Sequence, residues 1–402
     1  MKAQVWSWKG TRPLRGWRSV FDLRIPWSKT DWGLVLLSAA LVATSIAMVY
    51  AMAASDAKFG RDGILFDRHA KKYVVAAPFL VLGYFVRPRW LRRNAWLLYG
   101  GTLALLCLVP VVGVEHNNAR RWIQLPMMGF DLQPSELAKI GLILVLARSL
   151  YRNRLQTLAD WVGPALLAAV PVVLVAAQPD LGTALTIVPV TLGLFWLAGA
   201  RGETLATLLV VGVVLAGLAW QLEWVQGYQI KRIDVWARCF DAGTLIEEKN
   251  GPAFHAYHAR VAIGNGGLYG TGLGKGVANE AGHLPERESD SIFAVVAEEG
   301  GLVGASALIG LYVAFVALLL VAAGRTRERF SRLVVGGVAL YFAAHFFINV
   351  GVNLGLVPMT GLTLPLISTG GSSLMASFLA LGLALGLSAR REPSLDLDAF
   401  RA

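Results

Sequence analysis

The chain has 402 residues, 55% of them apolar and 16% charged, with a formal net charge of +11. So apolar a composition excludes an ordinary soluble domain and points to a polytopic membrane protein, for which the number of spanning segments is the useful count. The distribution of the positive charge matters more than its total, and no nucleic-acid partner is expected.

The first 31 residues carry seven Lys and Arg and four Trp (Trp6, Trp8, Trp17 and Trp27). They lack the short apolar core and small-residue cleavage site of a signal peptide. They read as a basic cytoplasmic tail on the membrane surface, with Trp at headgroup level and the cations on anionic lipid. Apolar runs then predict ten spans, at about 32–54, 73–88, 94–114, 136–151, 161–178, 182–200, 203–223, 297–323, 332–357 and 371–389. Several are shorter than the ~20 residues of a straight span, which predicts tilt or re-entrant segments. The expected fold is therefore all-α and polytopic. A membrane domain of about ten helices fills 32–389, with a large external loop at 224–290 between the seventh and eighth helices and a cytoplasmic tail at 390–402.

Orientation follows from Lys and Arg. Twenty-two fall in the tails and in the loops around 87–93, 148–154, 201 and 325–332, and fourteen fall in the loops of the other side. The excess places both termini in the cytoplasm and the loops 55–72, 112–135, 179–181, 224–290 and 356–370 outside. Cys107, in an apolar run, and Cys239, in the long loop, suggest no disulfide, and no metal-ligand spacing occurs.

Ionisable groups at membrane depth are costly and mark candidate function. "FDRHAKK" (66–72) and "NNARRWIQL" (117–125) place Arg68, Arg120 and Arg121 near the outer interface, either as anchors or as bidentate ligands of phosphate. "QPSELAKI" (133–140) sets Glu136 and Lys139 three apart on one helix face, either as an orienting ion pair or as the lining of a polar cavity. Asp180, in "AAQPDLGTAL" (176–185), suits an N-cap and also the mouth of an outward cavity. The run 291–323 would form a helix of roughly 50 Å against a ~30 Å hydrocarbon core, so 291–297 is expected to fold as an external or re-entrant piece. Asp290 stands at its start, either as an N-cap or as a base at the cavity edge, its pKa raised by Glu288. Glu298 and Glu299, before Gly300 and Gly301, read as structural contacts at a helix break. The uncharged loop "NLGLVPMTGLTLPLISTGGSS" (353–373) is either a rigid buried loop or a lining of N–H groups and hydroxyls, among them Thr360, Thr363, Ser368, Thr369, Ser372 and Ser373.

The segments "RWIQLPMMGFDLQPSELAK", "QPDLGTAL", "AIGNGGLYGTGLGKG" followed by "LPERESDSIFAVVAEEGGLVG", and "NVGVNLGLVPMTGLTLPLISTGGSS" resemble the signature segments of the SEDS family, in the same order and over nearly all of 30–390. That family includes RodA of cell elongation and FtsW of cell division. The resemblance implies a ten-helix inner-membrane glycosyltransferase that polymerises lipid II on the outer face, beside a monofunctional class B penicillin-binding protein that crosslinks the strands. It puts the family's essential external Asp on Asp290, its acid–lysine pair on Glu136 and Lys139, its Pro-Asp-Leu-Gly acid on Asp180, and its basic residues near Arg68 and Arg120 or Arg121. Glu288-Ser289-Asp290-Ser291 departs from the family's frequent His-Thr-Asp-Phe, and Thr369 stands where Tyr is usual. "AIGNGG" and "LPER" lean toward RodA, whereas "GLTLPLIS" leans toward FtsW. The implied chemistry is a single inverting displacement. Asp290 is the base, and Arg68, Arg120, Arg121 and Lys139 meet the charge of the leaving pyrophosphate, with a divalent cation (Mg or Mn) as a candidate aid. A lipid II flippase or other transporter is the alternative from a different functional class.

Overall fold

The computed structural model describes residues 20–23, 27–58, 64–116, 119–125, 130–153, 155–221, 227–251, 253–277 and 284–390. Most of the two tails, 1–31 and 390–402, lies outside the described residues.

Seven long helices come first: α1 (Trp32–Lys58), α2 (Leu65–Phe85), α3 (Pro88–Val112), α4 (Pro134–Leu150), α5 (Leu158–Ala177), α6 (Leu181–Ala198) and α7 (Gly202–Gln221). Between α3 and α4 lie three short strands, β1 (Val114–His116), β2 (Ala119–Leu125) and β3 (Phe130–Leu132), paired antiparallel in the order β1-β2-β3. The long loop after α7 carries α8 (Gly227–Arg238), α9 (Ala242–Glu247) and α10 (Phe254–Asn265). Three more apolar helices close the fold: α11 (Ile292–Arg325), α12 (Arg329–Asn353) and α13 (Gly371–Ala389). Among the described residues ten long helices thus stand where ten spans were expected, six of them long and apolar enough to cross a membrane, and the molecule is a polytopic membrane protein.

Local chemistry sets the ends. Pro88 and Pro134 begin α3 and α4 at the first turn, where no backbone donor is missed. A capping box of Thr157 and Asp160 starts α5. Asp180 caps α6 by accepting from the Thr183 N–H at 3.2 Å. Two expectations are corrected. Helix α2 starts at Leu65, so Arg68 and Lys72 sit on its first turns rather than in a loop. Within 112–135, expected as a loop, residues 114–116, 119–125 and 130–132 form the small sheet, the one departure from an all-α fold among the described residues.

α4, α12 and α13 are buried almost throughout and form the centre. Helices α2 and α13 meet backbone to backbone: a Cβ on Gly382 would lie 2.1 Å from the Leu80 carbonyl and one on Gly386 2.1 Å from the Tyr84 carbonyl. This is small-residue packing of the kind that joins membrane helices. α7 lies at the periphery against α6.

Helix α11 is two helices in one run. Gly301 takes φ 64°, ψ −164°, which breaks it four residues later than expected. The glycine-rich segment 266–274 wraps the break. Thr271 N–H donates to the Glu298 carbonyl at 3.0 Å, and Leu302 N–H donates to the Gly267 carbonyl at 2.9 Å. The side chains of Glu298 and Glu299 are fully buried there. Glu299 accepts from the Gly274 N–H at 3.0 Å and Glu298 from Asn265 Nδ2 at 3.3 Å, as structural contacts at a break require.

The two ends of the bundle differ. At one, Trp27 stacks on Tyr84, Arg390 donates to the Phe85 carbonyl, and Arg329 donates to the carbonyls of Asn153 and Ala198. The start of α1 and the end of α13 therefore share a side. The other end holds the sheet, the loop 354–370 and α8–α10, where Trp236 Nε1 donates to the Gly355 carbonyl at 3.0 Å.

Candidate active site

An open cavity of about 820 Å³ occupies that second end. Its walls come from seven parts of the chain: Lys72 of α2, Arg121, Asp131 and Gln133 of the sheet and its exit, Asp180 of α6, Arg232 of α8, His255 of α10, and the segments 285–290 and 359–373. Its lining mixes acids, cations and hydroxyls with apolar surface.

Asp290 forms part of one wall. It does not cap α11, since Ser291 holds the N-cap position and no side chain caps there. This removes the capping explanation for the acid. Its carboxylate instead accepts from Ser289 Oγ at 3.1 Å and lies near Gly361 across the cavity. Burial, reinforced by the Glu286 charge, pushes the Asp290 carboxyl up to about 7, against the Ser289 hydrogen bond and Arg232. The expectation that Glu288 supplies the repulsion is corrected. The turn closed by Ser289 N–H onto the Glu286 carbonyl, with Glu286 at φ 45°, brings Glu286 back toward Asp290, whereas Glu288 lies in the field of Lys72.

The segment carrying Asp290 is tied down from several helices. Arg287 pairs with Asp56 of α1, and Ser368 Oγ donates to the Ser289 carbonyl. Asn349 Nδ2 donates to the carbonyls of Asp290 and Leu362 at 2.9 and 2.6 Å, and Asn353 Nδ2 to the Asp290 carbonyl at 3.0 Å. Tyr341, His345, Asn349 and Asn353 recur every four residues on α12, so they form one polar stripe.

The lower half of that stripe meets the buried ion pair. Lys139 Nζ lies 2.7 Å from Glu136 Oε1 and 2.6 Å from His345 Nε2, and Tyr341 OH donates to Glu136 at 3.4 Å. Both charged side chains are almost inaccessible. Glu136 reaches the cavity floor while Lys139 does not line the cavity, so the pair is the floor and its support.

The remaining candidates divide. Arg121 lines the cavity, donates to the Gln178 carbonyl at 3.2 Å and lies 3.7 Å from Asp180, which also accepts from Gln133 Nε2 at 2.9 Å. Arg120 faces away, paired with Glu115 at 3.6 Å in solvent, as neighbouring residues on a strand must point to opposite faces. Arg68 is exposed and outside the lining, one turn from Lys72. Ser372 and Ser373 line the cavity. Ser372 Oγ donates to the Asp131 carbonyl at 2.7 Å, and Ser373 accepts from Thr363 at 2.7 Å. Of the loop hydroxyls, Thr360, Thr363 and Thr369 line the cavity and Ser368 does not.

Sequence reasoning passed over Lys72, Arg232, His255, His345 and Asn349. His345 meets the same criterion that found Glu136, an ionisable group inside an apolar run, and the four-residue spacing of the α12 stripe was there to be seen. Lys72 Nζ donates to the Thr369 carbonyl at 2.7 Å and presents a cation to the cavity. Among the described residues no three His, Cys, Asp or Glu side chains converge as a metal site requires, and no step is assigned to a bound cation.

Three comparisons bear on this arrangement. The family model for FtsW, RodA and SpoVE, described as "cell cycle protein", matches residues 31–392. A probable peptidoglycan glycosyltransferase FtsW of Thiomicrospira cyclica is 36% identical over 88% of this chain and 90% of its own length. The peptidoglycan glycosyltransferase MrdB of Escherichia coli K12 is 32% identical over 91% of this chain and 97% of its own. Among solved structures, the rod shape determining protein RodA of Thermus thermophilus superposes with a TM-score of 0.68 at 33% identity, covering 92% of this chain and 99% of that one. A chain of a peptidoglycan synthase complex, studied for the coordination of polymerization and crosslinking, gives 0.76 at 32% identity, covering 92% and 100%.

Proposed function

Since the chain belongs to the FtsW, RodA and SpoVE family of cell cycle proteins, we infer that it is a peptidoglycan glycosyltransferase. It polymerises lipid II into glycan strands on the outer face of the cytoplasmic membrane, for cell elongation or division. The segments "AIGNGG" and "LPER" favour the elongation role.

The observation that carries the chemistry is the Asp290 carboxyl. It is free of any capping duty, is raised to about 7, and shares one cavity with three cations. The acceptor's 4-hydroxyl is a poor nucleophile, and Asp290 takes its proton as the oxygen attacks C1 of the donor sugar. The C1–O bond to the lipid pyrophosphate breaks on the opposite face, which inverts the centre. Lys72, Arg121 and Arg232 meet the charge that develops on the leaving group. The hydroxyls of Ser372, Ser373 and Thr360 and the amide of Gln133 suit the sugars. Glu136, held by Lys139, keeps the floor rigid. Arg68, at the rim, suits capture of the lipid headgroup, and Arg120 an anchoring role. The polyprenyl tails suit the apolar groove of about 620 Å³ on the outer face of α2, which runs from Val74 to Phe85.

The packed centre beneath Glu136 argues against a flippase, since α4, α12 and α13 are buried almost throughout. A class B penicillin-binding protein is the proposed partner, and the Lys and Arg excess supports cytoplasmic termini.

The test is polymerisation of labelled lipid II by the purified chain, alone and with its penicillin-binding partner. Asp290→Asn keeps size and removes the base, so activity should fall by at least about 10²-fold while thermal stability is not lowered and partner co-purification stays unchanged. Elongation by that variant at near the wild-type rate would sink the assignment.

A further inference from the structure

Behind Asp290, away from the large cavity, lies a second, much smaller space of about 40 Å³, partly open to its surroundings. Arg232, His255, Asp290 and Met359 line both spaces, so they are the partition between them. Two buried polar atoms on this side have no partner among the described residues, His255 Nε2 and Arg260 Nε. Arg260 is otherwise fixed, donating to the Cys239 carbonyl at 2.8 Å and to the Gly355 carbonyl. Ser291 Oγ and Asn353 Nδ2 are already committed to the carbonyls of Pro285 and Asp290. A buried water needs about 10–15 Å³ of such space and two to four polar partners, so this pocket suits about two or three waters held by Asp290, His255 and Arg260.

We propose that this pocket is a water-filled proton exit, through which Asp290 is emptied after each glycosidic bond, with His255 as the relay on its far side. The inference rests on the reading of Asp290 as the base. During elongation the large cavity holds a lipid-linked donor and acceptor, which block the direct path from Asp290 to bulk water. The hydroxyl proton passes to the Asp290 carboxylate as the new C–O bond forms, and the bonding electrons of the old one leave with the pyrophosphate. The proton then moves from Asp290 to a pocket water, from that water to His255 Nε2, and from the imidazole to solvent around the external helices. Arg260 donates to the water and keeps its lone pair turned toward Asp290. Asp290 faces Glu286 and Ser289 of its own segment, Arg232 of α8, Asp180 of α6 and His255 of α10, while His255 faces Arg232 and His258. Burial, with Arg232 and His258, holds His255 down at about 4, so it rests neutral with a free acceptor nitrogen and carries the proton only in passing, uphill from Asp290.

Two variants of the full-length chain, assayed with lipid II and the penicillin-binding partner, separate draining from shaping. His255→Gln keeps a polar group that cannot titrate, and Ala256→Leu fills the pocket. For Ala256→Leu, which leaves the large cavity's lining untouched, the first bond should form at the wild-type rate. Later extension by both variants should slow about 10-fold, well short of the effect of losing the base itself, and added imidazole should restore His255→Gln. Wild-type extension by both variants, or a first bond slowed as much as later ones in Ala256→Leu, overturns the proposal. If neither variant folds, the wild type decides. A high-resolution structure with ordered water between Asp290 and His255 upholds the exit, and a dry pocket refutes it. A wild-type chain that does not polymerise lipid II at all refutes the proposed function instead, and the water observation is then read on its own.

Discussion

Glu286 and Asp290 are four residues apart and face each other only because the turn at 286–289 folds the chain back. The negative charge of Glu286 raises the Asp290 pKa, and a general base works deprotonated. Glu286→Gln should therefore move the acid limb of the rate–pH profile toward lower pH, while Glu288→Gln should leave that limb in place, a comparison that steady-state polymerisation across pH 5–9 checks. The same shift has a cost in stability. With a folded pKa of about 7 against an unfolded value near 4, the native state holds a proton that the unfolded chain has lost, so wild-type stability falls as pH rises through that window. Below the floor, removing one member of the Glu136–Lys139 pair strands a buried charge at a cost of about 3–5 kcal/mol. Glu136→Gln and Lys139→Met should each lower folded yield, and the double variant should be less damaged than the sum of the two. Strict additivity in thermal unfolding would refute their coupling. The acids and serines of the site were legible because a polar group at the edge of an apolar run stands out against its surroundings. The choice between Arg120 and Arg121, or between Glu286 and Glu288, was not, because it depends on a strand and a turn that no apolar period announces.

At the scale of elements, apolar length alone located all ten long helices, since lipid demands unbroken apolar helix and leaves little latitude. The three strands escaped notice because they are short and lie in a polar loop between two spans. The need for a break near the start of α11 was readable from its length, but its position depends on a contact with a distant loop. Gly301 has a positive φ, and a Cβ there would lie 2.3 Å from the Gly270 nitrogen, with backbone all round. Gly301→Ala should destabilise the protein by at least about 1–3 kcal/mol and displace the turn that leads to Asp290. Thermal unfolding in detergent, paired with the polymerisation assay, checks both. A variant with wild-type melting and activity would show that the break is not required. The polar stripe of α12 works at the same scale, since one rigid helix fixes the height of Asp290 above the Glu136–Lys139 floor.

Across the whole molecule, the sidedness is testable without any enzymology. In a background with Cys107 and Cys239 replaced by Ser, Asn250→Cys should react with a membrane-impermeant maleimide added outside intact cells, and Arg327→Cys should not. Both positions are exposed and lie in loops assigned to opposite sides. The reverse pattern would overturn the topology and the outward site together. The cavity draws its walls from residues as far apart as Lys72 and Ser373, with the last of them on the final helix. A chain emerging from the ribosome therefore holds Asp290 and the cations of the cavity long before it holds the serine wall and the Thr369 carbonyl that meets Lys72. A chain released before α13 is made thus lacks one wall of the cavity, and with it the Ser372 bond to the Asp131 carbonyl.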